Sequence, residues 1–362
     1  MTVRTAACAP KSQLAIVHLI PADGIGGVEV AARSMLAHRT DDENFRLMLI
    51  AGRSMVPSVR VIASQFTGLN NPVAHLIALR TLLRFKPDVL ICSLWRSVPA
   101  AVLTKMLRQR TKLVLFLHLD RPVHLLDRVL TWLGIVLADE IWADSDQTLA
   151  ARRLSIETPT RVVSFVTDRL KPAALAPVVA PRFVCWARIV PQKGFDRAIE
   201  LIRLLAAGGI DARYDIYGPD GGARMALERQ VKAAGLERHI TFHGPIERAR
   251  LPLIAAGSSF FLQLSRFEGL GMGVVEAMQL GLVPVTTPAG EIARYVDAST
   301  GIRVEPADLP AAAERIAAVL DDPDGYGRLR EAAIAYWRAA PLYADHIIAY
   351  ARSLAGRNKQ CC

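Results

Sequence analysis

The 362-residue sequence predicts an α/β protein with two parallel-sheet halves. Three observations lead there. Short apolar runs alternate with longer helical segments along the chain, the pattern of parallel strands covered on both faces by crossover helices. Glycine-rich turns follow the apolar runs at 14–20, 214–217 and 260–264, at the carboxyl ends of strands, where open α/β sheets bind ligands. One stretch, 171–181, is rich in proline and alanine without amphipathic period and reads as a linker. The expected division is a first half at 1–170, the linker at 171–181, a second half at 182–340, and a closing segment at 341–362. Each half is long enough for its own core.

In the first half, the apolar run 14–20 is a central strand. The turn Pro21-Ala-Asp-Gly-Ile-Gly-Gly27 and a helix at 28–38 follow. A dinucleotide fingerprint needs a third glycine where this turn has Glu29, which weakens an NAD reading. Strands are expected at 45–51, 89–92, 113–117, 140–143 and 161–166. The helices at 73–86 and 99–110 carry Arg80, Arg84, Lys86, Lys105, Arg108 and Arg110. They read either as core-packing helices with solvated outer faces or as contacts for anionic lipid. His118 ends the strand at 113–117, where an imidazole can bind a hydroxyl or move a proton; Asp120, Arg121 and His124 follow it as secondary candidates. Asp144-Ser145-Asp146 admits a metal-binding reading and a helix-cap reading, and short acidic pairs of this kind suit a cap.

The second half opens with a strand at 183–187. Arg188 and Lys193 stand on the turn after it, five residues apart, and can converge on one polyanion. A helix at 197–207, a strand at 214–217, a helix at 223–234 and a strand at 240–242 follow. The strand at 260–264 then leads into S-R-F-E-G-L-G-M-G-V-V-E-A-M-Q-L-G, residues 265–281. Glu268 and Glu276 stand eight positions apart with three glycines between them. Small residues let a ligand approach the backbone, and the free N–H groups at a helix start favour an anion. Glu276 lies among Val274, Val275, Ala277 and Met278. A carboxylate in that company requires hydrogen-bond donors, which a ribose diol would supply. Strands at 283–286 and 302–304 and helices at 309–320, 326–338 and 343–354 complete the chain.

The E-x7-E spacing with F-E-G-L-G-M inside it resembles the signature of retaining glycosyltransferases of family 4. The match is strong in the second half and looser in the first. The resemblance implies the GT-B fold, two Rossmann-like domains facing across a cleft, with acceptor bound by the first and nucleotide sugar by the second. It implies that the last helix crosses back onto the first domain. It assigns Arg188, Lys193, Glu268, Gly269, Leu270, Gly271, Met272, Glu276 and Ile246 to the donor, and Gly26 and Gly27 to the diphosphate or acceptor. His118, Glu268, Arg188 and Lys193 are its catalytic set, with no metal and no cofactor beyond the nucleoside diphosphate sugar. Two departures are Ala187 where the family has glycine, and S-F-V-T-D where members often carry P-N-G.

Composition frames these expectations. Net charge is +10, and residues 1–170 hold 21 Lys and Arg against 14 Asp and Glu, with 23 against 20 in the remainder. The basic excess in the first half points to an anionic partner such as a phospholipid surface or lipid diphosphate. Nucleic acid is not expected. The five cysteines lack metal-ligand spacing and fit a reducing compartment. No signal-peptide core or membrane-spanning run is evident. The expectation is a cytoplasmic enzyme, working at the inner face of a membrane if at one at all. It would move sugar to a glycan or lipid-linked acceptor in cell-envelope, lipopolysaccharide or exopolysaccharide synthesis. The alternatives are an NAD(P)-linked oxidoreductase, for which Arg53 would favour NADP, and a non-catalytic scaffold.

Overall fold

The computed structural model describes residues 13–24, 26–37, 43–56, 58–63, 68–118, 122, 124–152, 158–172 and 179–356. Asp120, Arg121, linker residues 173–178, Cys8, Cys361 and Cys362 lie outside them. The chain divides into two compact units, one of residues 1–167 and 341–362, the other of residues 168–340.

Unit 1 contains β1 (Leu14–Ile20), α1 (Gly27–Ser34), β2 (Glu43–Leu49), β3 (Val61–Ala63), α2 (Pro72–Phe85), β4 (Val89–Ser93), α3 (Val98–Leu107), β5 (Lys112–Leu117), α4 (Leu125–Leu137), β6 (Glu140–Ala143), α5 (Asp146–Ala151) and β7 (Thr160–Val162). The sheet order is β3-β2-β1-β4-β5-β6-β7, every pairing parallel. Alternate strand residues, among them Val17, Leu19, Leu90, Cys92, Leu113 and Leu115, pack with Ala78, Leu82, Ala101 and Ile135 of α2, α3 and α4, so those helices cover one face. Phe116, on the alternate register, stacks on Tyr343 and meets Phe165 and Trp142 edge-on.

Unit 2 contains β8 (Arg182–Trp186), α6 (Phe195–Ala207), β9 (Arg213–Tyr217), α7 (Arg224–Ala233), β10 (Ile240–Gly244), α8 (Leu251–Ala256), β11 (Phe260–Gln263), α9 (Met272–Gln279), β12 (Val283–Thr286), α10 (Ile292–Tyr295), β13 (Ile302–Arg303), α11 (Leu309–Asp321) and α12 (Pro323–Arg338). Its sheet runs β10-β9-β8-β11-β12-β13, also parallel. The strand direction of travel reverses between β1 and β4 in unit 1, and between β8 and β11 in unit 2. In such sheets the crevice at the reversal is where ligands bind.

The final helix, α13 (Tyr343–Gly356), belongs to unit 1. Tyr343 N–H donates to Val166 O, Tyr350 Oη to Val162 O, and Ser164 N–H to His346 Nδ1. One departure from expectation is that the strand at 161–166 ends at Val162: Val163 N–H still donates to Ala143 O, and from Ser164 on the backbone bonds to α13. The helix expected at 28–38 ends at Ser34, with Leu36 and Ala37 N–H groups bonded three residues back in a tightened turn. The short elements β3, α8 and α10 are additions to the sequence reading. Ser145 caps α5, its Oγ accepting from Thr148 N–H, and Thr148 Oγ1 donates to Asp144. The acidic pair is therefore built into a helix start.

Candidate functional site

The unit 2 site forms at the switch point between β8 and β11. The turn after β8 carries Arg188 and Lys193; the turn after β11 carries Glu268. Arg266 stitches them together, donating to both carboxylate oxygens of Asp196 and to Pro191 O, while Gln192 donates to Phe267 O. Gly194 sits at φ +67°, and a Cβ there would lie 1.8 Å from Leu264 O. Only glycine permits this approach, which brings the two turns into contact.

Lys193 Nζ lies 2.5 Å from Glu268 Oε1. The same oxygen accepts from Ser265 Oγ at 2.7 Å and Gln263 Nε2 at 3.0 Å. Glu268 is thus positioned by three donors on one oxygen. The backbone around it is held from the β12 side: Thr287 Oγ1 donates to Ser265 O, Glu291 N–H to Gly269 O, and Tyr295 Oη to Leu270 O. Gly271, at φ +77°, precedes α9. The first bond back to it comes from Val274 N–H, so Met272 and Gly273 stand ahead of the helix's own hydrogen bonding.

Glu276 lies on the first turns of α9, its side chain 12 % exposed. Trp186 Nε1 donates to one carboxylate oxygen at 3.0 Å, and Arg248 Nε to the other at 2.8 Å. Arg248 also pairs with Asp168. Burial raises the Glu276 pKa, opposed by the Arg248 charge and by the bonds from Arg248 and Trp186. The expectation that a ligand diol must satisfy both oxygens needs correction here: protein donors already do so. Arg188 is exposed and makes no ion pair among the described residues. Ile246 is half-buried on the turn after β10.

Unit 1 holds a pocket of about 310 Å³ at its own switch point. It is lined by Asp23 from the β1–α1 turn, Glu29 from the first turn of α1, Leu94, Trp95 and Arg96 after β4, His118 after β5, and Asp127 and Thr131 of α4. Asp23 accepts from Gly24 N–H, Ser54 Oγ, Met55 N–H and Arg33, which fixes the turn. The Glu29 carboxylate folds over Gly26, where a Cβ would lie 2.4 Å from Oε2. Gly27 opens α1 and is exposed.

His118 is buried, its Nε2 2.9 Å from Ser93 Oγ, and His18 Nε2 lies 2.8 Å from the same hydroxyl. One hydroxyl proton serves two imidazoles, so Ser93 donates to one and accepts from the other. Burial lowers both pKa values to about 3, with His18 adding a repulsive contribution at His118. Both are therefore neutral near pH 7. The ring expected to be open at a strand end is engaged inside unit 1 through Nε2.

The sequence singled out the Glu268 and Glu276 pair and Lys193, and the structure brings Lys193 to Glu268. It also adds Trp186, Arg248, Asp168, Gln263, Trp95 and Arg96. Arg248 is 28 residues from Glu276, and only the order of strands brings them together. W-R at 95–96 followed a recognised strand and was legible as a site candidate by position alone. Among the described residues, no three His, Cys, Asp or Glu side chains are placed to hold a metal ion.

Residues 167–336 match the family described as glycosyl transferases group 1. An α-D-kanosaminyltransferase of Streptomyces kanamyceticus is 32% identical over 170 residues, 47% of this chain and 42% of that protein. A lipopolysaccharide core biosynthesis mannosyltransferase, LpsB of Rhizobium meliloti, is 27% identical over 263 residues, 66% of this chain and 72% of that protein. A glycogen synthase of Agrobacterium fabrum is matched over 40% of its length, so the chain spans about two fifths of two of these curated relatives. Among solved structures, Anabaena Alr3699/HepE in complex with UDP and glucose superposes with TM-score 0.79 at 19% identity, covering 95% of this chain and 100% of that one. The Thermosynechococcus elongatus sucrose-phosphate synthase gives 0.75 at 17%, covering 96% and 98%. These likenesses show the fold: two Rossmann-like domains of the GT-B type.

Proposed function

We propose that this chain, whose residues 167–336 belong to the glycosyl transferases group 1 family, transfers a sugar with retention of configuration from a nucleoside diphosphate donor to a glycan or lipid-linked acceptor. Arg188 and Lys193 hold the diphosphate and stabilise its growing charge as the glycosidic bond breaks. Glu268 contacts the sugar and offsets positive charge at its anomeric carbon. The backbone at Gly269, Leu270, Gly271 and Met272 donates to the sugar or phosphate. Glu276 binds the ribose hydroxyls, Ile246 flanks the base, His118 takes a sugar hydroxyl, and Gly26 and Gly27 border the acceptor. The acceptor oxygen attacks on the face that the diphosphate leaves, and its proton passes to a diphosphate oxygen. The two cations fill the charge-neutralising role without a metal.

The observation that carries this reading is Lys193 held against Glu268 where the turns after β8 and β11 meet, with the half-buried Glu276 on α9 that follows. A ribose hydroxyl would reach Glu276 by sharing or displacing the Arg248 and Trp186 donors. The kinds of relative support it: the HepE structure is a complex with UDP and glucose, and LpsB is a lipopolysaccharide core biosynthesis mannosyltransferase. We read the present chain as an enzyme of bacterial cell-envelope or exopolysaccharide synthesis, acting in the cytoplasm at an anionic membrane surface. Among the described residues no helix is long and apolar enough to cross a membrane. The test is transfer from a panel of nucleoside diphosphate sugars in the presence of EDTA. Product of retained anomeric configuration, lost in Glu268→Gln, supports the reading; oxidation of NAD(P)H with no sugar product would replace it.

A further inference from the structure

The helices on one face of the unit 1 sheet bury one side against the strands and leave the other apolar. On α4, Leu125, Val129, Trp132 and Val136 are exposed. Their offsets of four, three and four residues place them in one line along a helix of 3.6 residues per turn. Trp132 is 60 % exposed and Leu125 75 %. The adjacent α3 exposes Leu103, Met106 and Leu107, and α2 exposes Val73, Leu76 and Ile77. Solvated helices of a soluble domain carry polar side chains at such positions.

Lys105 of α3 and Lys112 share the Asp139 carboxylate, but the unpaired charge on this face is mainly positive. Arg80, Arg84, Lys86, Arg110 and Arg128 are exposed and make no ion pair among the described residues. No acid is exposed on the three helices; their single carboxylate, Asp127, is buried in α4. In unit 2, by comparison, the helix cations Arg203 and Arg224 each pair with a glutamate on their own helix. The unit 1 face thus combines aromatic and aliphatic side chains with unneutralised cations.

We propose that the α2–α4 face docks unit 1 on an anionic lipid surface, with Trp132 and its line of aliphatic neighbours in the interfacial layer and the cations on the headgroups. A second copy fits less well. A two-fold contact would set this face against itself, and cations would meet cations. The helix that carries the stripe also presents Asp127 and Thr131 to the unit 1 pocket. Docking therefore brings that pocket to the surface where a lipid-linked acceptor resides. This last step rests on the proposed transfer; the docking itself does not.

The test uses the full chain with vesicles of phosphatidylglycerol mixed into phosphatidylcholine, and of phosphatidylcholine alone. Co-sedimentation at low salt is read together with quenching of tryptophan fluorescence by brominated lipid. The expected binding is at least about tenfold tighter with phosphatidylglycerol and falls as salt rises. Quenching is expected from Trp132, because Trp142, Trp186 and Trp337 are buried and Trp95 is half-buried. Val129→Ser with Trp132→Ser should weaken binding and remove the quenching. Arg80→Glu, Arg84→Glu and Lys86→Glu together should remove the lipid preference while nucleoside diphosphate binding in unit 2 persists. Equal partition between the two vesicles, or no binding by a folded wild type, overturns the proposal. So does a reversible dimer dispersed by Trp132→Ser, which would assign the face to a second copy. Vesicle binding without any nucleoside diphosphate binding would leave docking standing and remove the transferase reading.

Discussion

Arg248 Nε donates to Glu276 Oε1 at 2.8 Å, and the same guanidinium pairs with Asp168. One arginine thus occupies an acceptor oxygen on the residue assigned to the ribose. A ribose hydroxyl can bind that oxygen only by sharing it with Arg248 or displacing it.

Removing the arginine separates these effects. Arg248→Ala should lower the melting temperature of the unliganded protein, at a cost of about 1–2 kcal/mol for a partly exposed pair. It should also enlarge the stabilisation given by a nucleoside diphosphate, since the ligand then restores the missing donor. Thermal unfolding with and without ligand checks both signs.

The Lys193–Glu268 pair gives a kinetic prediction. Lys193→Ala should reduce kcat by about 100-fold, the scale for losing one charge-stabilising donor in a transition state. Its binding of the nucleoside alone should change little. Steady-state kinetics with donor sugar, beside titration with nucleoside, tests the split.

Close backbone contact gives a structural one. A Cβ on Gly290, at φ +59°, would lie 2.1 Å from Glu268 O. Gly290→Ala should destabilise unit 2 by about 2–3 kcal/mol and shift the Glu268 turn, so that activity falls more than stability predicts. Denaturant unfolding and donor KM measured on the same variant check this.

The paired histidines set a pH dependence. His18 and His118 titrate near 3 when folded, below the ordinary value of 6.5. Above 6.5 the imidazoles are neutral in both states and their contribution to stability is fully present. Below it the unfolded chain binds protons that the folded chain does not, so stability is lost as pH falls towards about 3. The slope should be about 1.4 kcal/mol per pH unit for each imidazole. His18→Asn should flatten it in unfolding curves between pH 7 and 5.

Much of this architecture was legible because its signals are local. The apolar run 14–20 read as a central strand, and β1 spans Leu14–Ile20. Gly271 marked the strand-to-helix turn because a left-handed residue is needed before α9. Ser145 and Asp146 both suited a helix cap, and Ser145 is the cap. What the sequence did not carry is pairing across distance. Nothing local ties Arg248 or Trp186 to Glu276, or His18 to Ser93 and His118. Those partners meet because parallel sheets order their strands out of sequence. The exposed line on α4 was hidden for another reason: Leu125, Val129, Trp132 and Val136 look like core until the opposite side of the helix is seen packed against the sheet.

The most direct test of the nucleotide-sugar account is a thermal-shift panel of UDP, GDP, ADP and NADPH on wild type and Glu276→Ala. A ligand bound only by the folded state must raise the melting temperature. The account predicts a rise with at least one nucleoside diphosphate in the wild type and its loss in Glu276→Ala. A rise with NADPH alone, or a nucleoside diphosphate shift that survives Glu276→Ala unchanged, would contradict it.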